Sequence, residues 1–319
     1  GWQAFRTVTA ESYLDAEEIY YAYYMKQLAG PYTEETHQKL LEMNGEFEPI
    51  RQLDAALAAG KISSEAYQAQ MGAYYGLQQK LQVFQRILNG NLAYIKEHPK
   101  AQLVYESGWE KLFGFSGEGD LQDTLITGLV SCVCFAGLFA FEHRGGMKRV
   151  VMATPLGRRY TLRRKLAVGA LGAALVCLFT CLPRFVVVLR DYGLCRPFAP
   201  AMSLADYAAI PAGVSLSDLL VFGVLARLAA CLCMMLLLMA LSEYMGNTLG
   251  AMFVGSIAFC LPPLLALSGL SGLRWVGFYP LFHIAELARR ADVWAGLGAL
   301  VIALGLGWLA AEKLLQRWS

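Results

Sequence analysis

The chain has 319 residues, 56% of them hydrophobic and 16% charged, with a mean hydropathy of +0.42 and a formal net charge of +2. A typical soluble domain carries roughly 25% charged residues, so this composition excludes a chain that is soluble throughout. The net charge averages two unlike parts: residues 1–120 hold sixteen acids and ten bases (net −6), and residues 121–319 hold nine acids and seventeen bases (net +8).

In chain order, residues 8 to about 113 read as a helical bundle. Gln3 through Ala29 is dense in helix formers and in tyrosines (Tyr13, Tyr20, Tyr21, Tyr23, Tyr24), whose default role is bundle core. Gly30-Pro31 stops this helix, because glycine supplies a C-cap and proline cannot continue it. Thr33 can cap a second helix running toward Ala59 and Gly60. Ser63 or Ser64 can cap a third ending near Asn89-Gly90, and Pro99 closes a short fourth piece, Asn91 to His98. Leu77, Leu81, Phe84 and Leu88 recur at helical spacing. Short loops between such helices make antiparallel hairpins, and no β-alternation competes.

Gly117-Glu118-Gly119-Asp120 breaks the pattern. Five apolar runs follow, at about 121–141, 166–188, 219–241, 249–270 and 293–311, each of the ~20 residues a bilayer crossing requires. Seven of the eight cysteines fall in these runs and none in the first part. They read as small apolar packing residues rather than a disulfide framework. The expected fold class is therefore all-α: a polytopic membrane protein with a helical hairpin or bundle domain at 1–120 and five spans in 121–319.

Between the first two runs lies the most basic stretch of the chain. Residues 142–165 carry eight Lys or Arg (144, 148, 149, 158, 159, 163, 164, 165) against one acid, Glu142. So short a basic loop between two spans is expected in the cytoplasm. Residues 1–120, 189–218 and 271–292 then lie outside, and 242–248 and the tail from Glu312 lie inside. Lys313 and Arg317 in the tail agree, and Trp275, Trp294 and Trp308 fall near the interfaces. Arg274, Arg289 and Arg290 run against the trend but are outnumbered by the loop. With five spans the acidic domain needs an entry into the outer space, so a further span before Gly1 is expected, with Trp2 at its outer end. This reading places the protein in a plasma membrane, multi-pass, in a bacterial cell.

The basic stretch also holds a pattern: Glu142-x-x-x-Gly146, then Thr154-Pro155-x-x-Arg158, then Lys165. It resembles the first cytoplasmic loop of ABC transporter permeases of the type-2 exporter superfamily. There an acid, a glycine four residues on, a Ser/Thr-Pro followed by Arg, and a Lys opening the next span stand in this order. The superfamily's layout is six spans with a variable extracellular domain after the first. The tyrosine-rich helical part, ending Val104-Tyr105-Glu106-Ser107-Gly108-Trp109, also looks like members from Gram-positive bacteria. The resemblance implies a permease subunit that performs no covalent chemistry and dimerises or pairs with a second permease. It further implies that Glu142, Gly146, Thr154, Pro155, Arg158 and Lys165 dock a separate nucleotide-binding ATPase, which holds the ATP and Mg; this chain itself carries no cofactor. Independently of the resemblance, Glu142 to Ala153 can form a short amphipathic surface helix with a basic face (Arg144, Lys148, Arg149) and an apolar side (Val150, Val151, Met152). Proline at 155 would break it. Charge alone favours a positive-inside loop that binds anionic lipid, and it is the joint fit of the six pattern residues that favours coupling.

No P-loop is present: the only Gly-Lys, Gly60-Lys61, is followed by Ile62. Gly305-x-Gly307-x-x-Ala310 mimics a dinucleotide fingerprint but sits inside the last run, where close helix packing explains it. Arg227 lies near the middle of the third run and is the translocation-pathway candidate. It lines a cavity or meets an anionic headgroup, or else is paired in the bundle or snorkels outward. Arg184, nearer the end of its run, is expected to snorkel. Pro262-Pro263 and Phe278-Tyr279-Pro280 point to a broken or re-entrant hairpin after the fourth run. The histidines (37, 98, 143, 283) have no metal-ligand spacing, and Cys132-x-Cys134 and Cys231-x-Cys233 lack that of a zinc or redox pair. His283 and Glu286 read as a solvated or interfacial pair. Membrane lipid is an expected partner and nucleic acid is not. The rival from another class is a membrane-anchored sensor or scaffold with a helical ectodomain. A membrane-embedded enzyme, with acid, His, Ser or Cys clusters at matched depth, finds no such cluster.

Overall fold

The computed structural model describes residues 16–113, 118–143, 147–153, 155–268, 277–283 and 293–318. Among these, the regular structure is helical, with two isolated β-bridges and no strand. The chain divides into two compact units. One comprises residues up to Trp109 together with Val188–Ser217, and the other Glu110–Val187 together with Asp218–Ser319.

The first unit opens with α1 (Ala16–Leu28), stopped by Gly30 at φ 143°, as the glycine-proline pair predicts. Thr33 caps α2 (Glu34–Gly45), its hydroxyl accepting from the Thr36 N–H, and Ser63 caps α4 (Ser64–Ala73) through the Ala66 N–H. The expected single helix from Thr33 toward Ala59 is in fact two, α2 and α3 (Glu48–Ala58). Pro49 sits in the first turn of α3, where its missing N–H costs nothing, and it cannot continue the helix before it. The third expected helix is likewise divided, into α4 and α5 (Tyr75–Ile87). Asn89-Gly90 does not end α5. The turn widens into a π-helix over Leu88–Leu92 and runs on into α6 (Ala93–Glu97).

Aromatic side chains fill this unit: Tyr24, Phe47, Phe84 and Tyr105 are fully buried, with Tyr24 edge-on to Phe84 at 5.5 Å. Its polar interior is closed by phenols. The Tyr21 hydroxyl donates to Glu106 (2.7 Å) and accepts from the Asn91 amide (2.8 Å), and Tyr105 donates to Glu18 (2.5 Å). Burial pushes the Glu106 carboxyl above its ordinary range, partly offset by the hydrogen bond from Tyr21. Burial likewise raises the Tyr21 and Tyr105 phenols. Residues 188–217 complete the unit. Cys195 O accepts from the indole of buried Trp109 (2.9 Å), Ser203 Oγ from the Gln102 N–H (2.9 Å), and Met202 O from the Tyr94 hydroxyl (2.7 Å).

The second unit begins within α7 (Ser107–Phe113) and continues through α8 (Glu118–Phe135), α9 (Gly137–His143), α10 (Met147–Met152) and α11 (Pro155–Asp191). It then runs on through α12 (Leu216–Met245), α13 (Thr248–Leu267), the single turn α14 (Tyr279–Phe282) and α15 (Val293–Trp318). Four stretches are long and apolar enough to cross a membrane: Gln122–His143, Gly157–Asp191, Leu216–Met245 and Thr248–Leu265. At about 1.5 Å per residue the 37-residue α11 is roughly 55 Å long, nearly twice a ~30 Å hydrocarbon layer. Its basic first turns therefore project beyond the apolar part.

α12 contributes a long buried face to the core of this unit. Ala230, Cys231, Met234, Met235, Leu238 and Met239 all belong to its buried face. Glycines on neighbouring helices let it be approached closely. A Cβ at Gly169 on α11 would stand 2.9 Å from Met235 Sδ, and one at Gly307 on α15 would stand 3.0 Å from Cys233 Sγ. Of the Gly305-x-Gly307 pattern, Gly307 makes the expected close approach, whereas a Cβ at Gly305 would meet nothing within 4 Å. All eight cysteines are free thiols. Pro262 and Pro263 do not break α13, which continues to Leu267, and Pro183 lies inside an unbroken α11. Spanning helices tolerate proline where neighbouring helices re-satisfy the freed carbonyls. Residues 269–276, on which the expected hairpin partly rests, and Glu286 lie outside the described residues.

Candidate functional site

The basic segment is anchored at both ends by one ion pair. α8 stops at Phe135 and the chain restarts one residue later as α9, so the first amides of α9 lack intrahelical partners. Ser242 of α12 supplies one acceptor for two of them: its Oγ accepts from the Phe139 N–H (3.3 Å) and the Ala140 N–H (2.9 Å). The helix so capped delivers Glu142 to the first turns of α11, where Glu142 Oε1 meets Lys165 Nζ at 2.8 Å. Lys165 also donates to Leu138 O (2.6 Å) and stands 4.1 Å from the Phe139 ring centroid. Phe139 in turn packs edge-on against the fully buried Trp318 at 5.2 Å. Both charged side chains are about 15% exposed, 15% for Lys165 and 14% for Glu142. The acid and the lysine at the two ends of the 142–165 pattern are thus one contact.

A second acid completes the cluster. Glu243 is 2% exposed and pairs with Lys148 of α10. His143 Nε2 lies 3.4 Å from Glu243 Oε2 and 3.3 Å from Lys148 Nζ. Gly246 closes α12 in the left-handed conformation (φ 60°), its N–H bonded to Ser242 O at 3.0 Å, and a Cβ there would stand 3.1 Å from His143 Nδ1. Ser242 and Glu243 belong to a stretch read from sequence only as the end of a span and a short turn. The available signal was an acid ending an otherwise apolar run, three residues before a glycine.

The other residues of the pattern are distributed as follows. Gly146 and Thr154 lie outside the described residues. Pro155 is the first residue of α11, the position where proline fits a helix best. Arg158 is half-buried one turn later. Arg149, Arg159, Arg163 and Arg164 are exposed, with the Arg164 guanidinium over the Tyr160 ring at 4.6 Å. Two lysines are therefore consumed by two internal acids, while Arg149, Arg159, Arg163 and Arg164 face outward. The amphipathic helix expected over 142–153 is short, Met147–Met152.

Arg227 occupies a different place. It lines an apolar cavity of about 250 Å³ between α11 and α12, walled by Leu178, Leu182, Phe185, Leu220, Val224 and Phe282. Its Nε donates to Phe282 O (3.0 Å) and its Nη1 to Cys181 Sγ (3.6 Å). Among the described residues no carboxylate pairs with it. Arg184 lines the same cavity but is held by Asp123 Oδ2 (2.9 Å) and donates to Lys111 O (2.9 Å). Arg184, expected from sequence to snorkel, is instead paired with Asp123. An arginine at the centre of a spanning helix costs roughly 2.5–3.5 kcal/mol even on insertion scales, and here a carbonyl and a thiol are the contacts that offset it. His283, buried, shares a hydrogen bond with Thr124 Oγ1 (3.1 Å), and its ring lies tilted at 37° to that of Tyr279, centroids 4.2 Å apart. Among the described residues no three His, Cys, Asp or Glu side chains converge as a metal site would require.

Comparison with protein-family models gave no match, and comparisons with curated proteins and with solved structures gave none either.

Proposed function

We propose that this chain is the membrane permease subunit of an ATP-driven exporter of the type-2 ABC superfamily, with residues 142–165 as the coupling element. The observation that carries the reading is the Glu142–Lys165 bridge. It joins the ends of the basic segment into one compact unit, seated on Ser242 and Glu243, with Arg149, Arg159, Arg163 and Arg164 turned outward. A segment so fixed transmits force between a docked partner and the spanning helices α8 and α11, and a loop that merely collects anionic lipid has no need of the internal pair. In this reading the basic segment faces the cytoplasm and the first unit faces outward. A separate nucleotide-binding subunit supplies the ATP and Mg, two permeases assemble, and Arg227 lies on the pathway.

The test is co-purification of the full-length protein with the P-loop ATPase encoded beside it, comparing wild type with a Glu142→Ala, Arg158→Ala double variant. The expected result is a stable complex whose ATPase stimulation is lost in the variant. Absence of any P-loop partner, or equal binding and stimulation by the variant, overturns the proposal.

A further inference from the structure

The cavity at Arg227 combines two properties that are seldom joined. Its walls are aliphatic and aromatic, and its one charge without a carboxylate partner among the described residues is a guanidinium near the middle of a spanning helix. Arginine carries five N–H donors in a fixed fork that matches a carboxylate or phosphate, and its contacts here are a single carbonyl and a thiol. The second arginine, Arg184, is already neutralised by Asp123. The cavity therefore holds one net positive charge inside an apolar surround. Its rim is open: Leu178 of α11 and Val224 of α12 are 50% and 44% exposed, and Leu182 is 43% exposed. A chain entering between the two helices thus continues along their outer apolar surface.

We infer that this cavity binds a long-chain amphiphile with a single anionic headgroup, the headgroup on Arg227 and the start of the chain between Leu178, Leu182 and Val224. Charge complementarity selects the headgroup, and the apolar walls and open rim select the chain. About 250 Å³ holds a headgroup and the first part of a chain, and the remainder lies along the exposed rim. A free fatty-acid-like molecule and an anionic membrane phospholipid share this chemistry. As the identity of an exported substrate the inference rests on the permease reading, but as a binding site it does not. Binding is therefore read on the permease chain without ATP or ATPase.

The experiment uses the full-length protein in nanodiscs of neutral phosphatidylcholine and a photoreactive 16-carbon fatty acid, with the matching fatty alcohol as the neutral control. Crosslinked peptides are mapped by mass spectrometry. Arg227→Gln removes the charge. Gly223→Leu fills the space instead, since a Cβ at Gly223 meets nothing within 4 Å, so this variant keeps both Arg227 and the fold. The expected result is crosslinking to α11 and α12 around the cavity by the acid and not the alcohol, reduced about tenfold or more in each variant, as loss of a charge-assisted contact or of the space requires. Adding phosphatidylglycerol to the nanodisc separates the two sources. Displacement of the probe identifies a resident membrane lipid, and persistence of the probe identifies a free amphiphile. Equal labelling by the alcohol, or undiminished labelling in either variant, overturns the inference. Failure of the wild-type chain to bind or stimulate any P-loop ATPase, with labelling intact, would instead count against the permease reading alone.

Discussion

Each unit withdraws a carboxylate from solvent, Glu106 in part and Glu243 fully, and they satisfy it by different means. In the first, Glu106 is met by neutral groups, the Tyr21 phenol and a neighbouring amide, Asn91. In the second, Glu243 is met by cationic Lys148 beside His143. The first unit thus satisfies its acid by neutral hydrogen bonds, and the second by an ion pair that brings together α10 and α12.

The largest test of this contrast is Lys148→Met, which leaves Glu243 buried without its cation. Breaking a buried pair from one side costs about 3 kcal/mol, and the double variant Lys148→Met, Glu243→Gln should recover most of it. Thermal unfolding of the detergent-solubilised protein reads both, and a double variant no better than the single would show that the pair is not the unit of stability. Next in size is Tyr21→Phe. It strips Glu106 of its donor and Asn91 of an acceptor, at a cost of about 1–3 kcal/mol, visible in the near-ultraviolet signal of the tyrosine-rich unit.

The smallest effect is one of pH. Burial raises the folded-state pKa of Glu106, so the folded unit binds more protons than the unfolded chain in the window between the ordinary carboxyl value of about 4.3 and the raised one. Its contribution to stability is therefore greatest at acid pH and declines as pH rises through that window. Glu106→Gln should flatten this dependence while keeping an acceptor for Tyr21. A wild-type profile already flat across the window would contradict the assignment.

What sequence made legible was whatever is local or repeated. Four of the five apolar runs form helices long and apolar enough to span, Thr33 and Ser63 cap as their types require, and the glycine-proline pair ends α1. Residues that act across long separations were not legible. Ser242 reaches amides about a hundred residues earlier, Glu106 meets Tyr21 across 85 positions, and Trp109 donates to a carbonyl 86 residues on. No periodicity encodes such partners. Local rules also misled where tertiary surroundings compensate. Pro262-Pro263 reads as a break yet lies within α13, and Asn89-Gly90 reads as a stop yet is absorbed by a π-turn. Lys165 was visible as part of a pattern, but its direct contact with Glu142 was not.

The membership of Val188–Ser217 in the first unit has a consequence for how the protein is made. Trp109, Gln102 and Tyr94 have to wait for Cys195, Ser203 and Met202 to leave the ribosome. At translation speeds of about 5–20 residues per second, the 108 positions from Trp109 to Ser217 take on the order of 5 to 20 s. Through that interval the early helices exist as an unfinished nascent domain with an indole and a backbone amide unmet. Its maturation is gated by insertion of the two intervening spanning helices, so a defect in either one should appear first as a chaperone or protease substrate in the tyrosine-rich part of the chain.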